Sequence, residues 1–145
     1  IAKSGTVNKI ILNQSLDNFY HNDISKKRSY DTKDFDLSFV RGLSLQDGAA
    51  TLIEFTAQIL SKKNFHKNIY VSGGGRKNKF LLENIEKAAN RKIKLIDDLE
   101  IDGDFVESQA FAYLAIRSYL KLPISFPETT GVQKPCSGGT IINIK

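Results

Sequence analysis

The feature that most constrains the fold is a run of three glycines between an apolar stretch and an amphipathic one, in IYVSGGGRKNKFLLENIEKA. The β-branched and aromatic run IYV stops at the glycines, which is typical of a buried strand. After them, Leu81, Ile85, Ala88 and Ala89 recur at the spacing of one helix face. A second apolar run, KIKLIDD, predicts another strand. This order of elements predicts an α/β fold with packed helices and a small mixed sheet, or a larger sheet whose remainder lies upstream.

Three further helices are predicted from the spacing of apolar residues. The first runs from Thr6 to Tyr20, with one face formed by Leu12, Leu16, Phe19 and Tyr20. The second begins near Ser44, which is spaced from Asp47 as in a capping box. Its predicted inner face is formed by Ala49, Leu52, Ile53, Thr56 and Leu60. The third, GDFVESQAFAYLAIRSYL, is apolar on most sides and is predicted to be buried. HNDISKKRSYDTKDFD predicts a long loop, and GTIINI a last strand.

Length and composition indicate one domain of an ordinary globular protein. The chain has 145 residues, of which 41% are apolar and 26% charged, and it has no apolar run long enough to span a membrane. The single Cys136 cannot form an internal disulfide, which fits a reducing, cytoplasmic setting. Because the chain begins at Ile1 and contains no Met, we expect it to be a piece of a longer protein whose N-terminal part is absent.

The net charge of +5 raises the question of a nucleic-acid partner. The basic clusters SKKRS, SKKN, GRKNK and NRKIK have no aromatic residues interleaved with them. They are therefore more typical of solvated lysine-rich faces, and we expect no nucleic-acid partner. A basic, non-enzymatic module that binds nucleic acid is kept as an alternative hypothesis. The two histidines, His21 and His66, lie far apart in polar contexts, and no metal site is predicted.

The glycine turn, Gly73 to Gly75, has two readings. Backbone N–H groups at a helix N-terminus can bind an anion, and the lack of a Cβ permits close approach of a ligand. Arg76 and Lys77 would add positive charge there. The alternative is a plain tight turn, for which one glycine would suffice.

A dinucleotide- or S-adenosylmethionine-binding fold of the Rossmann type is the rival hypothesis. Gly73 and Gly75 fit G-x-G, although Asn78 stands where a third glycine is expected. Asp97 and Asp98 end the next strand about 20 residues on, where that fold places its ribose-binding acid. A long helical segment precedes the turn, however, whereas such folds usually open with it.

A second acidic feature lies in DGDFVESQAFAYLA. Asp104 and Glu107 have the spacing of a helix N-cap and its partner three residues later. Glu107 could instead face a cleft at the start of the helix and accept hydrogen bonds from a hydroxylated ligand. Both readings are compatible, because a helix N-terminus stabilises a carboxylate.

Four motifs follow one another along almost the whole chain. The first lies in SLQDGAATLIEFTAQIL and comprises Asp47, Ala50, Thr51, Leu52, Phe55, Thr56 and Ala57. The second, VSGGGRKNKF, comprises Gly73, Gly74, Gly75 and Asn78. The third, GDFVESQAFAYLA, comprises Gly103, Asp104, Glu107, Ala110, Phe111, Ala112, Leu114 and Ala115. The fourth, TTGVQKPCSGGTI, comprises Thr130, Gly131 and Gly139. Together they resemble the C-terminal part of the bacterial anhydro-N-acetylmuramic acid kinases.

The resemblance implies one lobe, residues 1–145, of a two-domain sugar kinase with an actin/hexokinase/Hsp70-like (ribonuclease H-like) fold. It implies ATP with Mg²⁺, and a reaction that opens the anhydro ring of 1,6-anhydro-N-acetylmuramic acid with water and phosphorylates the 6-oxygen in cell-wall recycling. It assigns nucleotide contacts to Gly73, Gly74, Gly75 and Asn78, and a sugar contact to Glu107. The sequence does not distinguish a monomer from a homodimer.

Departures from the family pattern bear on activity and specificity. The phosphate-binding loop and the catalytic aspartate of such kinases lie in the N-terminal part, so no catalytic base is assigned here and the chain alone is expected to be inactive. KKRSYDT keeps Ser29 of a Pro-Lys-Ser segment, but Thr32 stands where arginine is usual.

Overall fold

The computed structural model describes residues 1–22, 35–62 and 68–142 as a mixed α/β arrangement. The helices are α1 (Lys9–Asn22), α2 (Leu45–Ser61), α3 (Lys79–Ala89), α4 (Val106–Tyr119) and α5 (Pro127–Thr130). The strands are β1 (Ile69–Val71) and β2 (Ile93–Leu95). Short 3₁₀ turns occupy Ala2–Ser4, Ser38–Val40, Gly74–Lys77 and Ile96–Leu99. Most of the predicted long loop, including Ser29 and Thr32, lies outside the described residues.

The segment around the glycines folds as predicted. β1 and β2 pair in parallel, with Ile69 opposite Ile93 and Val71 opposite Leu95, so the described residues form a small parallel sheet rather than the predicted mixed one. Parallel strands need a crossover connection, and the glycine turn together with α3 supplies it. Ile85 is the buried residue on the inner side of α3. The crossover places the glycine turn at the C-terminal end of β1, the end at which open α/β sheets bind their ligands.

The main apolar cluster lies between α1 and α2. Leu12, Leu16, Phe55 and Ile59 are buried there, and Phe19 and Tyr20 pack against them. The face predicted for the first helix is therefore confirmed. The Phe55 ring centroid lies 4.9 Å from that of Phe39 and 6.2 Å from that of Phe19, so aromatic packing fills the centre of the cluster.

The inner face predicted for α2 is confirmed only in part, because Ala49, Leu52 and Ile53 are half-buried. Thr56 is exposed and Leu60 is 38% exposed. The buried residues of this helix are Gly48, Ala50, Thr51, Phe55, Ala57 and Ile59. The helix contacts α1 and the N-terminal turn as well as α3, so a single apolar stripe does not describe its burial.

The start of α2 is tied to the N-terminal residues of the chain. Ser44 Oγ accepts the N–H of Asp47 at 3.1 Å, which is half of the predicted capping box. Asp47 Oδ1 accepts the N–H of Thr6 at 2.7 Å, and Thr51 Oγ1 accepts the N–H of Asn8 at 3.0 Å. These long-range bonds fix the segment before α1 against α2.

Two predictions for the C-terminal third are wrong. No residue of α4 is buried by the described part of the chain, and Phe111, Ile116 and Tyr119 are each more than half exposed. Residues 139–142 of the predicted last strand are not a strand. The described C-terminal backbone instead forms an isolated antiparallel bridge between Ser125 and Cys136. Apolarity alone decides neither point. An apolar helix is buried only where another element covers it, and a strand forms only where another strand pairs with it.

Candidate functional site

The glycine turn begins with a backbone conformation that requires glycine. Gly73 has φ of 75°, in the region that side-chain-bearing residues rarely adopt. The chain then makes a 3₁₀ turn, in which Asn78 donates its N–H to the Gly75 carbonyl at 3.0 Å. A 3₁₀ turn of four residues, Gly74–Lys77, therefore lies between β1 and α3, so the strand does not lead directly into the helix.

Two of the three glycines face open space. A Cβ built on Gly73 or Gly74 would meet no described atom within 4 Å, whereas one on Gly75 would lie 4.0 Å from Leu81 Cδ2. A flat ligand could thus lie directly against the backbone of Gly73 and Gly74. Gly75 is closer to the protein side of the turn.

Asn78 has a structural role at this position. Its Oδ1 accepts the N–H of Leu81 at 3.1 Å, which caps the N-terminus of α3. The cap uses the side-chain oxygen and leaves the side-chain NH₂ without a partner among the described residues. A nucleotide contact through Asn78 would therefore involve that NH₂ group.

Arg76 does not supply free positive charge, contrary to the prediction. It is only 9% exposed, and its Nε lies 2.8 Å from Asp97 Oδ2. Its Nη1 lies 2.6 Å from Asp104 Oδ1 and 3.1 Å from the Gly73 carbonyl oxygen. Two carboxylates therefore offset its charge. Lys77 Nζ, which is exposed, lies 2.7 Å from the second oxygen of Asp104.

These ion pairs stay charged across the neutral range. Hydrogen bonds from Arg76 and Lys77 hold the pKa of the Asp104 carboxyl well below its ordinary range. The hydrogen bond from Arg76 also lowers the pKa of Asp97, and the two carboxylates raise the pKa of Arg76 further. Because the arginine pKa is raised and the aspartate pKa values are lowered, these groups form structural ion pairs. They offer no proton acceptor near pH 7.

Gly103 brings the glycine turn to the start of α4. Its carbonyl accepts the N–H of Gly73 at 2.8 Å. A Cβ on Gly103 would lie 2.4 Å from Arg76 Nε, so any residue larger than glycine would require the guanidinium to move. Sequence reasoning missed this role of Gly103 and Arg76. The signal available in the sequence was a glycine, Gly103, directly before an acidic residue, together with an arginine directly after the glycine run.

The capping interpretation of Asp104 is wrong, and Glu107 is left accessible. The N-cap of α4 is Phe105, and no side chain caps that end. Asp104 binds Arg76 and Lys77 instead. Glu107, in the first turn of α4, is exposed and has no hydrogen bond or ion pair with the described residues. It lies four residues after Gly103, whose carbonyl accepts the N–H of Gly73.

The acids on which the Rossmann hypothesis depends are already occupied. Asp97 pairs with Arg76, and Asp98 Oδ2 accepts the N–H of Leu95 at 3.1 Å. The pairing with Arg76 leaves Asp97 unavailable as a ribose-binding acid, and Asp98 uses one of its two oxygens to bond the backbone of its own turn. This arrangement weighs against a dinucleotide- or S-adenosylmethionine-binding fold.

The surroundings of the turn form an open surface. A groove of about 600 Å³ runs between α3 and β2 and is lined in part by Arg76, Lys77 and Asp97, but not by the glycines. Among the described residues, no three His, Cys, Asp or Glu side chains lie close enough to hold a metal ion. None of the described helices is both long and apolar enough to cross a membrane.

Comparison with known proteins gives one consistent result. A family model described as anhydro-N-acetylmuramic acid kinase matches residues 1–144. A protein of that name from Pelagibacter ubique is 52% identical over 95% of this chain and 40% of its own length. Namesakes from Rhizorhabdus wittichii and Caulobacter vibrioides are 41% and 38% identical, over 95% and 99% of this chain and 39% and 40% of their own lengths. The chain thus spans about 40% of the length of these curated relatives.

Proposed function

The chain belongs to the anhydro-N-acetylmuramic acid kinase family, and from that premise we propose that it is the C-terminal portion of an ATP-dependent sugar kinase. The whole enzyme would convert 1,6-anhydro-N-acetylmuramic acid to N-acetylmuramic acid 6-phosphate. Water adds at the anomeric carbon and gives a proton to a base of the preceding lobe, and the bond from that carbon to the 6-oxygen breaks. The 6-oxygen takes the γ-phosphoryl group of ATP, and ADP leaves. The observation that carries this proposal is the 52% identity to a named kinase over nearly the whole chain.

We propose an actin/hexokinase/Hsp70-like lobe, with residues 1–145 forming one domain on the nucleotide side of the cleft. The parallel strand–turn–helix–strand unit supports this, because it places the glycine turn at the C-terminal end of a parallel strand. The enzyme would act in the cytoplasm, in recycling of cell-wall sugars.

A second lobe would complete the site. The exposed apolar side chains of α4 include Phe111, Tyr113, Ile116 and Tyr119, an arrangement typical of a surface that another element covers. The space beside Gly73 and Gly74 is open rather than enclosed. The lobe that precedes this chain in its relatives would cover such surfaces and enclose the ligands, and domain closure of this kind excludes water from phosphoryl transfer.

The residues of this chain would bind and orient rather than transfer protons. The backbone of Gly73 and Gly74 would contact the nucleoside of ATP, with Gly75 and Asn78 completing the turn. Glu107 would accept hydrogen bonds from the sugar. The acids beside the turn are paired with Arg76, so we assign neither the base nor an Mg²⁺ ligand to them. Mg²⁺, when bound with ATP, neutralises charge on the phosphates.

A chimera tests the proposed function. Residues 1–145 would replace the matching segment of the Pelagibacter ubique kinase, and ADP release would be measured with ATP and the anhydro sugar. We expect release that requires both substrates, and no release from residues 1–145 alone. A folded chimera that releases no ADP, beside an active parent enzyme, would contradict the proposal.

Glu107→Ala in the chimera should weaken sugar binding selectively. Losing a hydrogen bond to a charged group costs about 1.5 kcal/mol or more, so KM for the sugar should rise about 10-fold. KM for ATP should change by less than about 2-fold, within the variation of an unrelated surface substitution. Glu128→Ala, which removes an exposed glutamate in the first turn of α5, is the matched control. An unchanged sugar KM would remove Glu107 from the site.

A further inference from the structure

We propose that Arg76 is a positioning residue that holds the glycine turn and the start of α4 in one fixed arrangement. We call the contacts of Arg76 with Gly73, Asp97 and Asp104 the joint. The ligands that it would align are those of the proposed function, on which the inference rests. Arg76 itself touches neither ligand. Its role is to make the nucleotide contact at Gly73 and Gly74 and the sugar contact at Glu107 parts of one rigid unit.

The guanidinium joins three separate segments of the chain. It donates to the Gly73 carbonyl in the turn, to Asp97 after β2 and to Asp104 before α4. Asp97 receives two bonds, from Nε at 2.8 Å and from Nη2 at 3.1 Å. A planar fork with several donors fixes its partners in orientation as well as distance, which a lysine ammonium cannot do.

Backbone contacts support the same joint. The Gly73 N–H donates to the Gly103 carbonyl at 2.8 Å, and the Gly103 N–H lies 3.4 Å from Asp97 Oδ1. Gly103 is buried, and a Cβ there would lie within 2.8 Å of Arg76 Nε, Cδ and Cζ. The absence of a side chain at Gly103 is thus what lets the guanidinium lie between the turn and α4.

Displacement of the joint would move both ligand contacts. Gly73 lies at one side of it, and Gly103 leads within four residues to Glu107 in the first turn of α4. Phosphoryl transfer depends almost entirely on positioning and electrostatic stabilisation, and misplacement by about 1 Å can cost about 100-fold in rate. A residue that sets the relative position of two binding segments should therefore influence KM for both substrates and kcat.

The test is a double-mutant cycle in the chimera. Arg76→Ala should lower kcat/KM about 10-fold or more for ATP and for the sugar, whereas Glu107→Ala affects the sugar alone. Gly103→Ala should have the same paired effect, because its Cβ displaces the guanidinium. The double variant should be no worse than the worse single variant, because the added methyl group then meets no guanidinium. Arg76→Lys should restore part of the loss, and it replaces Arg76→Ala if that variant does not fold.

Arg117→Ala separates positioning from general stability. Arg117 Nε donates to the Pro123 carbonyl at 2.6 Å, away from the turn, so its loss should lower Tm without the paired change in KM. If Arg117→Ala and Arg76→Ala lower kcat/KM equally for both ATP and the sugar, the inference is overturned. The inference is also overturned if the losses in kcat/KM multiply in the Arg76→Ala/Gly103→Ala double variant. The same holds if Arg76→Ala lowers kcat/KM for one substrate only.

Hydrogen–deuterium exchange tests the joint independently of activity. In Arg76→Ala, exchange should rise together in peptides covering residues 73–78 and 102–107, and not in α1. Exchange that rises in only one of the two peptides would contradict the joint. An unaltered chimera that releases no ADP would contradict the proposed function, while the exchange result would still decide whether Arg76 joins the two segments.

Discussion

Gly74→Val should raise KM for ATP about 100-fold in the chimera while leaving folding intact. A side chain at Gly74 meets no described atom within 4 Å, and its φ is not in the left-handed region, so the folded chain accommodates it. The same branched side chain would occupy the space in which we place the nucleoside. Steady-state kinetics at saturating sugar, with Tm measured in parallel, separates the two effects.

Thr56→Val provides the control for Gly74→Val. Thr56 is an exposed residue of α2, distant in sequence from the turn, and the substitution places the same side chain there. We expect its ATP KM to remain that of the unaltered chimera. Gly74→Ala should lie between Gly74→Val and the unaltered chimera, because it occupies less of the same space. If the ATP KM is unchanged in both Gly74 variants, the nucleoside binds elsewhere.

Phe55→Ala should remove about 3–5 kcal/mol of the free energy of unfolding of the 145-residue chain. The Phe55 side chain is 5% exposed and lies at the centre of the cluster formed by α1 and α2. Its loss leaves a cavity bordered by Phe39 and Phe19 that a close-packed interior fills only in part. Because whole domains are stable by about 5–15 kcal/mol, the variant should be close to unfolding.

Urea denaturation followed by circular dichroism measures the effect of Phe55→Ala. Leu45→Ala, in the first turn of the same helix, is the control, because Leu45 is 69% exposed. It should change the free energy of unfolding by less than about 0.5 kcal/mol. Similar losses in the two variants would show that the cluster between α1 and α2 is not the core of the folded chain.

The parts of the fold predicted from the sequence are those set by local pattern. β1, the glycine turn, α3 and β2 follow one another within about 30 residues, the size of one βαβ unit, and each carries its own signal of apolar spacing or glycine. The Leu12 and Leu16 face of α1 is equally local. Such patterns determine an element directly, whichever other elements surround it.

The errors concern interactions between distant residues. Apolarity predicts an inner face of α2 without Thr51, yet Thr51 is fully buried, because its hydroxyl donates to the Asp47 carbonyl and accepts the Asn8 N–H. The local sequence predicts free positive charge at Arg76, because its partners Asp97 and Asp104 lie 21 and 28 residues further on. Apolarity also predicted that α4 is buried, but burial depends on a partner that the described chain does not supply.

The central claim is that the backbone of Gly73 and Gly74 contacts the nucleoside of ATP, and a crystal structure of the chimera tests it most directly. The crystals would contain a non-hydrolysable ATP analogue and the anhydro sugar. We predict the nucleoside in van der Waals contact, within about 4 Å, with the Gly73 and Gly74 backbone. A nucleoside bound away from the turn, with Gly73 and Gly74 covered by side chains of the other lobe, would contradict the account.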